Sequence, residues 1–357
     1  DQETYRFNLQ PEEGHAHPAF INLQQYYVEQ YLYGNVRDEE LADIRWLNEV
    51  VDVEVFDEFV RVTVNTPEGA YQLEAEYLIA ADGASSPTRK SLGLDYDGIV
   101  FTEKFLITDV VMKNVEFPVE RWFWFDPPFN RGYSALLHSQ PDDVWRIDLQ
   151  LGREADPEVE TRPERVIPRI QAMLGTEVEF ELEWISIYSF HSRMQERFVH
   201  GRVIFVGDSA HIMSPFGARG ANSGIQDVDN LVWKLALVLE GKASAQLLES
   251  YDFERVYAAR ENLLYTESST EFISPNTQGQ LALRNAVLAL SEGYEFARPL
   301  INSGRLSTAT TVPNSPLNTP DEDDFAGRMI PGAAATDGPV LVDGEDGASG
   351  SGPVSAA

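Results

Sequence analysis

Cysteine is absent from the 357 residues, which excludes disulfides, thiolate metal ligands and a cysteine nucleophile. Lysine is scarce, occurring only at positions 90, 104, 113, 234 and 242, so most of the 27 basic residues are arginine and they stand against 58 acids. The net charge of -31 repels nucleic acid and anionic membranes, and neither is expected as a partner. Such a surface fits either a salt-adapted source, where cations screen the self-repulsion, or simply an acidic bacterial enzyme. A melting temperature indifferent to molar salt excludes the first. No uncharged apolar run reaches the ~18 residues that suggest a membrane helix, and no basic-then-apolar leader is present, so a cytoplasmic location is the default. No metal site is expected.

What is present is ordinary globular material, 43% hydrophobic and 11% aromatic, enough for a large core and two domains. The most informative stretch runs from Gly201 to Leu239. Arg202 to Val206 reads as a short buried strand that breaks at Gly207-Asp208, holding a carboxylate at a strand's carboxyl end, where open α/β sheets bind nucleotides. Pro215, Gly217, Gly220 and Gly224 then form a loop whose amides can approach a planar ligand closely. A helix follows, with Ile225, Val228, Leu231, Val232, Leu235, Ala236 and Leu239 as one apolar stripe and Gly241 as its stop. Asn222 or Ser223 is the expected cap, and the positive end of the helix points back into the loop, a place for negative charge.

The pattern G-D-S-A-H-x-x-x-P-x-G-x-x-G-x-N-x-x-x-x-D, from Gly207 to Asp227, resembles the second flavin signature of the FAD-dependent aromatic hydroxylases. These are single-component flavoprotein monooxygenases that include phenol, hydroxybenzoate and 3-(3-hydroxyphenyl)propionate hydroxylases, and the last branch is the nearest in character. Well upstream, Tyr77 to Arg89 reads YLIAADGASSPTR and resembles the family segment that serves both flavin and nicotinamide cofactor. A weaker likeness is Gln25 in QYYVEQYL, where the family places a glutamine near the FAD pyrophosphate. The resemblance thus implies FAD as cofactor and NAD(P)H as co-substrate. It assigns cofactor binding to Gly207, Asp208, Pro215, Gly217, Gly220, Ala221, Asn222, Asp82, Gly83, Arg89 and Gln25. His211 reads as structural.

One family feature is missing. A complete member opens with strand-GxGxxG-helix, whose helix N-terminus receives the pyrophosphate, and no such segment occurs in the chain. The chain therefore reads as lacking about 90 amino-terminal residues of the family pattern, as a fragment, an incomplete gene product or a divergent member. Its end, DGEDGASGSGPVSAA, is a small-residue tail with too little apolar surface to order itself, following a segment that resembles the approach to a thioredoxin-like domain.

The expected fold is α/β with mixed α+β character: an incomplete FAD-binding Rossmann-like domain, an inserted antiparallel-sheet substrate domain, and C-terminal helices. The expected divisions are 1–95, 96–198 for the insertion, 199–305 for the return, and 306–357 for a linker and flexible tail. Helices are expected over 19–33, 163–174, 245–264 and 279–297. Strands are expected over 50–64 and 71–79 and, within the insertion, over 105–112, 121–125, 132–138, 144–149 and 184–190. The oligomeric state, a homodimer included, is left open.

By resemblance, the chemistry is hydroxylation of a phenolic or other small aromatic compound with NAD(P)H and O2 through a flavin hydroperoxide. The protein would hold the flavin, exclude water beside Pro215 and Phe216, and help deprotonate the phenol. His191, His138 and Tyr188 are the candidates for that last step. Arg146 either binds a substrate carboxylate or pairs with Asp148. Half of Trp122 to Phe125 would line the pocket. The alternatives are a non-hydroxylating flavin oxidoreductase and a non-catalytic remnant with weak or no FAD binding. A halogenase is disfavoured, because among the lysines only Lys104 and Lys113 fall in the substrate sheet.

Overall fold

A computed structural model describes residues 3–7, 18, 20–115, 117–301, 308–322, 327, 329–335, 342–343 and 349–350. After helix α1 (Gln25–Arg37), strands β1 (Glu49–Val55), β2 (Val60–Thr66) and β3 (Gly69–Ala75) form an antiparallel meander. Alternation sets its buried side: Val60, Val62 and Val64 face the core. Strand β4 (Leu78–Ala80) and the short helix α2 (Pro87–Ser91) follow.

The chain then enters a six-stranded sheet. Its strands are β5 (Asp97–Met112), β6 (Arg121–Phe125), β7 (Ser134–Ser139), β8 (Val144–Leu151) and β9 (Phe180–Met194), joined at one edge by a later two-residue strand. Helices α3 (Pro157–Glu160) and α4 (Pro163–Leu174) lie between β8 and β9. Val166 and Ile170 of α4 are fully buried against Leu106, Ala135, Leu137, Ile147 and Leu149, which cover one face of the sheet with an apolar core. The opposite face is left for the site.

The return begins with β10 (Val199–His200) and β11 (Val203–Phe205), and β11 runs parallel beside β4. Next, β12 (His211–Ile212) joins the edge of the six-stranded sheet beside β9, so one short segment links the two bodies. Helices α5 (Gly220–Leu239), α6 (Leu247–Ile273), α7 (Gln278–Gly293) and α8 (Arg298–Ile301) complete the ordered fold. Val203, Ile204, Phe205, Leu231, Leu248 and Tyr251 share a core with the meander valines, so the segments before and after the inserted sheet pack as one body.

Several boundaries differ from expectation. Helix α1 starts at Gln25 rather than residue 19, β5 and β9 extend well beyond their expected ends, and α6 continues to Ile273. The strands lengthen because they pair along most of their length, from Asp97↔Met194 to Met112↔Phe180, which sequence periodicity cannot register. The expected stripe on α5 splits. Leu231 and Leu235 are buried, while Ile225, Val228, Val232 and Leu239 are exposed. In the tail, β13 (Val342–Asp343) pairs with β14 (Ser349–Gly350), and the rest of the expected flexible segment lies outside the described residues.

Candidate functional site

Parallel pairing of β4 with β11 sets the ends of the two motif strands side by side. The Val206 N–H donates to the Ala80 carbonyl at 3.1 Å, and the Ser209 hydroxyl donates to the same oxygen at 2.6 Å. Each strand runs into a turn with a glycine beside an aspartate, Gly83 at φ 75° and Gly207 at φ 60°. A Cβ in that left-handed region costs ~1–2 kcal/mol. A Cβ on Gly224 would stand 3.2 Å from the Gly207 Cα, so α5 crosses the second turn at backbone contact. Arg89 fastens the turns together. Its buried guanidinium donates to the Ser209 carbonyl at 3.2 Å and the Ala84 carbonyl at 2.8 Å, and lies 3.6 Å from the Tyr96 ring centre. The Tyr96 hydroxyl in turn donates to the Asp208 carbonyl.

Beyond β12, Gly217 and Ala218 adopt φ 129° and 53° and reverse the chain into α5. This reversal starts the helix at Gly220, ahead of the expected cap. Asn222 donates instead to the Ala218 carbonyl at 2.6 Å, and Ser223 is buried and accepts from Asn262 at 3.0 Å. The helix has no side-chain cap, so the first-turn amides, including those of Gly220, Ala221 and Asn222, lack intrahelical acceptors at the positive end of its dipole. Helix α6 braces the loop from behind. Arg219 donates to Asn262 at 2.7 Å, and Thr270 donates to Ser214 at 2.6 Å.

A fully buried carboxylate anchors the second turn from within. Asp227 accepts from the Gly207 N–H at 2.9 Å, from His211 Nε2 at 2.7 Å and from Arg255 Nε at 2.7 Å. Burial alone would raise its pKa, but the bonds and charges of His211 and Arg255 outweigh that and hold it below the usual carboxylate range.

The open face of the six-stranded sheet meets this loop. Phe216 packs edge-on against Phe105 at 5.2 Å and Phe190 at 5.1 Å, joining the loop to the sheet through three rings. Farther along the same face, Arg121, His138, Arg146 and Asp109 stand in register across four strands. Asp148 lies one position nearer the rings, between Leu136 and Ile107.

A family profile described as FAD binding domain matches residues 3–265. The chain belongs to the FAD-dependent aromatic hydroxylase family. It is 29% identical over 290 residues to a 3-(3-hydroxy-phenyl)propionate/3-hydroxycinnamic acid hydroxylase of Burkholderia cenocepacia, covering 81% of this chain and 52% of that protein. It is 31% identical over 299 residues to a 12-dehydrotetracycline 5-monooxygenase/anhydrotetracycline 6-monooxygenase of Streptomyces rimosus, covering 80% and 59%. Among solved structures, aklavinone-11 hydroxylase with FAD and aklavinone superposes with a TM-score of 0.64 at 26% identity, covering 70% of this chain and 48% of that one. The chain thus spans a little over half the length of these curated relatives.

In this hydroxylase-family chain the residues present fit FAD. Open space lies where a Cβ would stand on Gly83 and Gly220, and the exposed Asp208 carboxylate forms no hydrogen bond among the described residues. Pro215, Ala221 and Asn222 are exposed beside them, Gly217 is half-buried in the reversal, and Asp82 accepts from the Thr88 N–H at 3.0 Å at the rim of the first turn. Arg89 differs from its expected role. Its side chain is buried and bonded to carbonyls, so it joins the turns from below rather than reaching outward. Gln25 is exposed and donates to Glu29 at 2.7 Å along its own helix. The buried glutamine is Gln24, which bonds the Pro141 carbonyl at 2.7 Å.

The three candidates for proton transfer separate. His138 lies on the open face, but burial and the charges of Arg121 and Arg146 push its pKa down to about 3, so it is a poor proton acceptor near neutral pH. Tyr188 is in register with Phe105 on that face and is exposed. His191 follows Phe190, and strand alternation turns it to the other side of the sheet. Arg146 does not pair with Asp148. It forms a bidentate bond to Asp109, directly across the sheet, with both contacts at 2.8 Å. In Trp122 to Phe125, both tryptophans face the α4 core and Phe125 packs with the Phe105 group, so the expected division of that run holds. The sequence reading overlooked Asp109, Tyr96 and Arg255. A lone acid inside the apolar run Leu106 to Val111 was the available signal for Asp109.

Proposed function

We propose that this chain carries the flavin-holding turns and the substrate-facing sheet of a monooxygenase that hydroxylates a phenolic ring, using NAD(P)H and O2. The convergence of two glycine-aspartate turns at one helix N-terminus, opposite an aromatic sheet face, carries this reading. Bound there, FAD supplies reducing equivalents from NAD(P)H and the activated oxygen.

The chain's residues supply the rest. First-turn amides of α5 would hold the flavin and favour negative charge on it. Asp208 and Asp82 accept hydrogen bonds from hydroxyl groups of the cofactor's sugar-like chain. Phe216, wedged against Phe105 and Phe190, keeps water from the space between loop and sheet. Arg89 and Asp227 keep the two turns in their relative places.

The test is direct. Incubation with FAD followed by desalting should leave a yellow protein, and a phenol should stimulate its NAD(P)H oxidation, with oxygen-18 from labelled O2 in the product. A desalted protein that stays colourless refutes the reading.

A further inference from the structure

One group on the open sheet face has no partner, the Asp148 carboxyl. Leu136 and Ile107 flank it in register on the neighbouring strands. On the side toward the loop lie Gln150 and Phe105, and Phe105 touches Phe216. On the far side lie two arginines, of which Arg146 is already paired with a carboxylate. Arg146 is bidentate on Asp109, and Arg121 donates to His138 Nδ1 at 3.3 Å and lies 5.4 Å from the Phe20 ring centre.

Asp148 Oδ1, by contrast, is closed off from solvent without a hydrogen-bond partner, and the half-buried carboxyl forms no hydrogen bond among the described residues. Folded proteins pair the large majority of such buried polar atoms. An unpaired acceptor on the open face, one cross-strand position from the Phe105–Phe216 contact, fits a ligand that brings the donor.

We propose that Asp148 anchors the substrate by accepting a hydrogen bond from a hydroxyl of an uncharged phenol lying between the Phe216 loop and the sheet, and that the face disfavours aryl carboxylates. This rests on the hydroxylase reading and names its substrate class. The soft two-fold rotation of the aspartate lets Oδ1 turn toward the ligand and take that bond. An aryl carboxylate beside Asp148 meets like charge once that group ionises, and Arg146, two residues along the same strand, is already bidentate on Asp109.

Calorimetric titration of the full FAD-loaded chain tests this with a matched pair of ligands, resorcinol and 3-hydroxybenzoate, which differ by one hydroxyl exchanged for a carboxylate. Resorcinol should bind at least about ten-fold more tightly, and Asp148→Ala should weaken it by about ten-fold or more, since hydrogen bonds to charged groups are the stronger ones. Asp148→Asn, which keeps a neutral acceptor, should fall between. The melting temperature of Asp148→Ala should hold or rise, because the variant removes an unpaired buried carboxyl; a scaffolding residue would lower it. Unchanged resorcinol affinity in Asp148→Ala, tighter binding of 3-hydroxybenzoate, or no resorcinol binding by the wild type overturns the assignment while leaving the flavoprotein reading intact. Failure to take up FAD refutes the hydroxylase reading instead, and the same titrations on flavin-free chain then decide Asp148 by the same comparison.

Discussion

Asp227→Asn is the sharpest probe of how the second turn is held. The native carboxylate is fully buried and offers acceptors to three donors: the Gly207 amide, His211 and Arg255. An asparagine offers one oxygen and one NH2. Turned either way, its NH2 faces a donor, and the buried Arg255 guanidinium loses the acid that neutralises it. Removing one partner of a buried ion pair costs about 3–5 kcal/mol. With its oxygen in the Oδ2 place the asparagine still accepts from Gly207 and His211 and loses only Arg255, which places Asp227→Asn near the lower end, about 3 kcal/mol, and Asp227→Ala toward the upper end. Urea unfolding at neutral pH reads this as a lower midpoint at constant slope. In Asp227→Ala the Gly207 amide also loses its acceptor and no longer fixes the turn, so FAD affinity should fall as well. The pH dependence has a definite sign. Because the folded pKa lies below the unfolded value of ~3.9, the contribution is present above that value and is lost as pH falls through the folded one. A loss below about 1 kcal/mol with unchanged FAD affinity would refute the argument.

Arg89→Lys replaces a fork that reaches two carbonyls and stacks on Tyr96 with a point charge, and should cost about 2 kcal/mol in chemical denaturation. Gly224→Ala should leave the melting temperature nearly unchanged, because about 1 kcal/mol of helix propensity offsets the 3.2 Å contact with Gly207. The contact still pushes α5 outward, so flavin-fluorescence titration should show weaker FAD binding. Burial raises the Asp148 carboxyl to about 7 despite Arg146 and Arg121, with Asp109 adding to the rise. Its stabilising effect is therefore complete below the unfolded value of ~3.9 and is lost as pH climbs to about 7. His138 titrates in the opposite sense, so the difference between wild type and Asp148→Asn, followed by melting temperature across that range, isolates the aspartate.

The turns were legible because glycine and aspartate after a β-branched run have few other uses, and because each motif is local. The helix over 163–174 was equally plain, its four apolar residues falling on one face despite Pro168. What escaped was everything set by cross-strand register. Arg146 and Asp148 are two apart on one strand, and sequence spacing suggested that they pair. The true partner, Asp109, lies on another strand and is opposite Arg146 only because of how β5 and β8 align. His191 failed for a related reason, since a residue's face depends on the strand's alternation and not on its chemistry. Gln25 failed because a glutamine on a short amphipathic helix carries no mark of which side meets the protein, and its neighbour Gln24 took the buried position.

The inserted sheet also bears on how the chain can assemble. Strands β4 and β11 are separated by the whole insertion, and pairing them early would close a very long loop against chain entropy. The insertion shortens that search, because β5 begins at Asp97 directly opposite Met194, where β9 ends. Once those long strands zip together, the flanking segments emerge from neighbouring points, and the parallel pair closes a short gap rather than a long one. Pulse-labelled hydrogen exchange during refolding should then protect the amides of Leu106 and Ile147 before that of Ile204. The inserted sheet would in this way act as the clasp that brings the two glycine-aspartate turns into being.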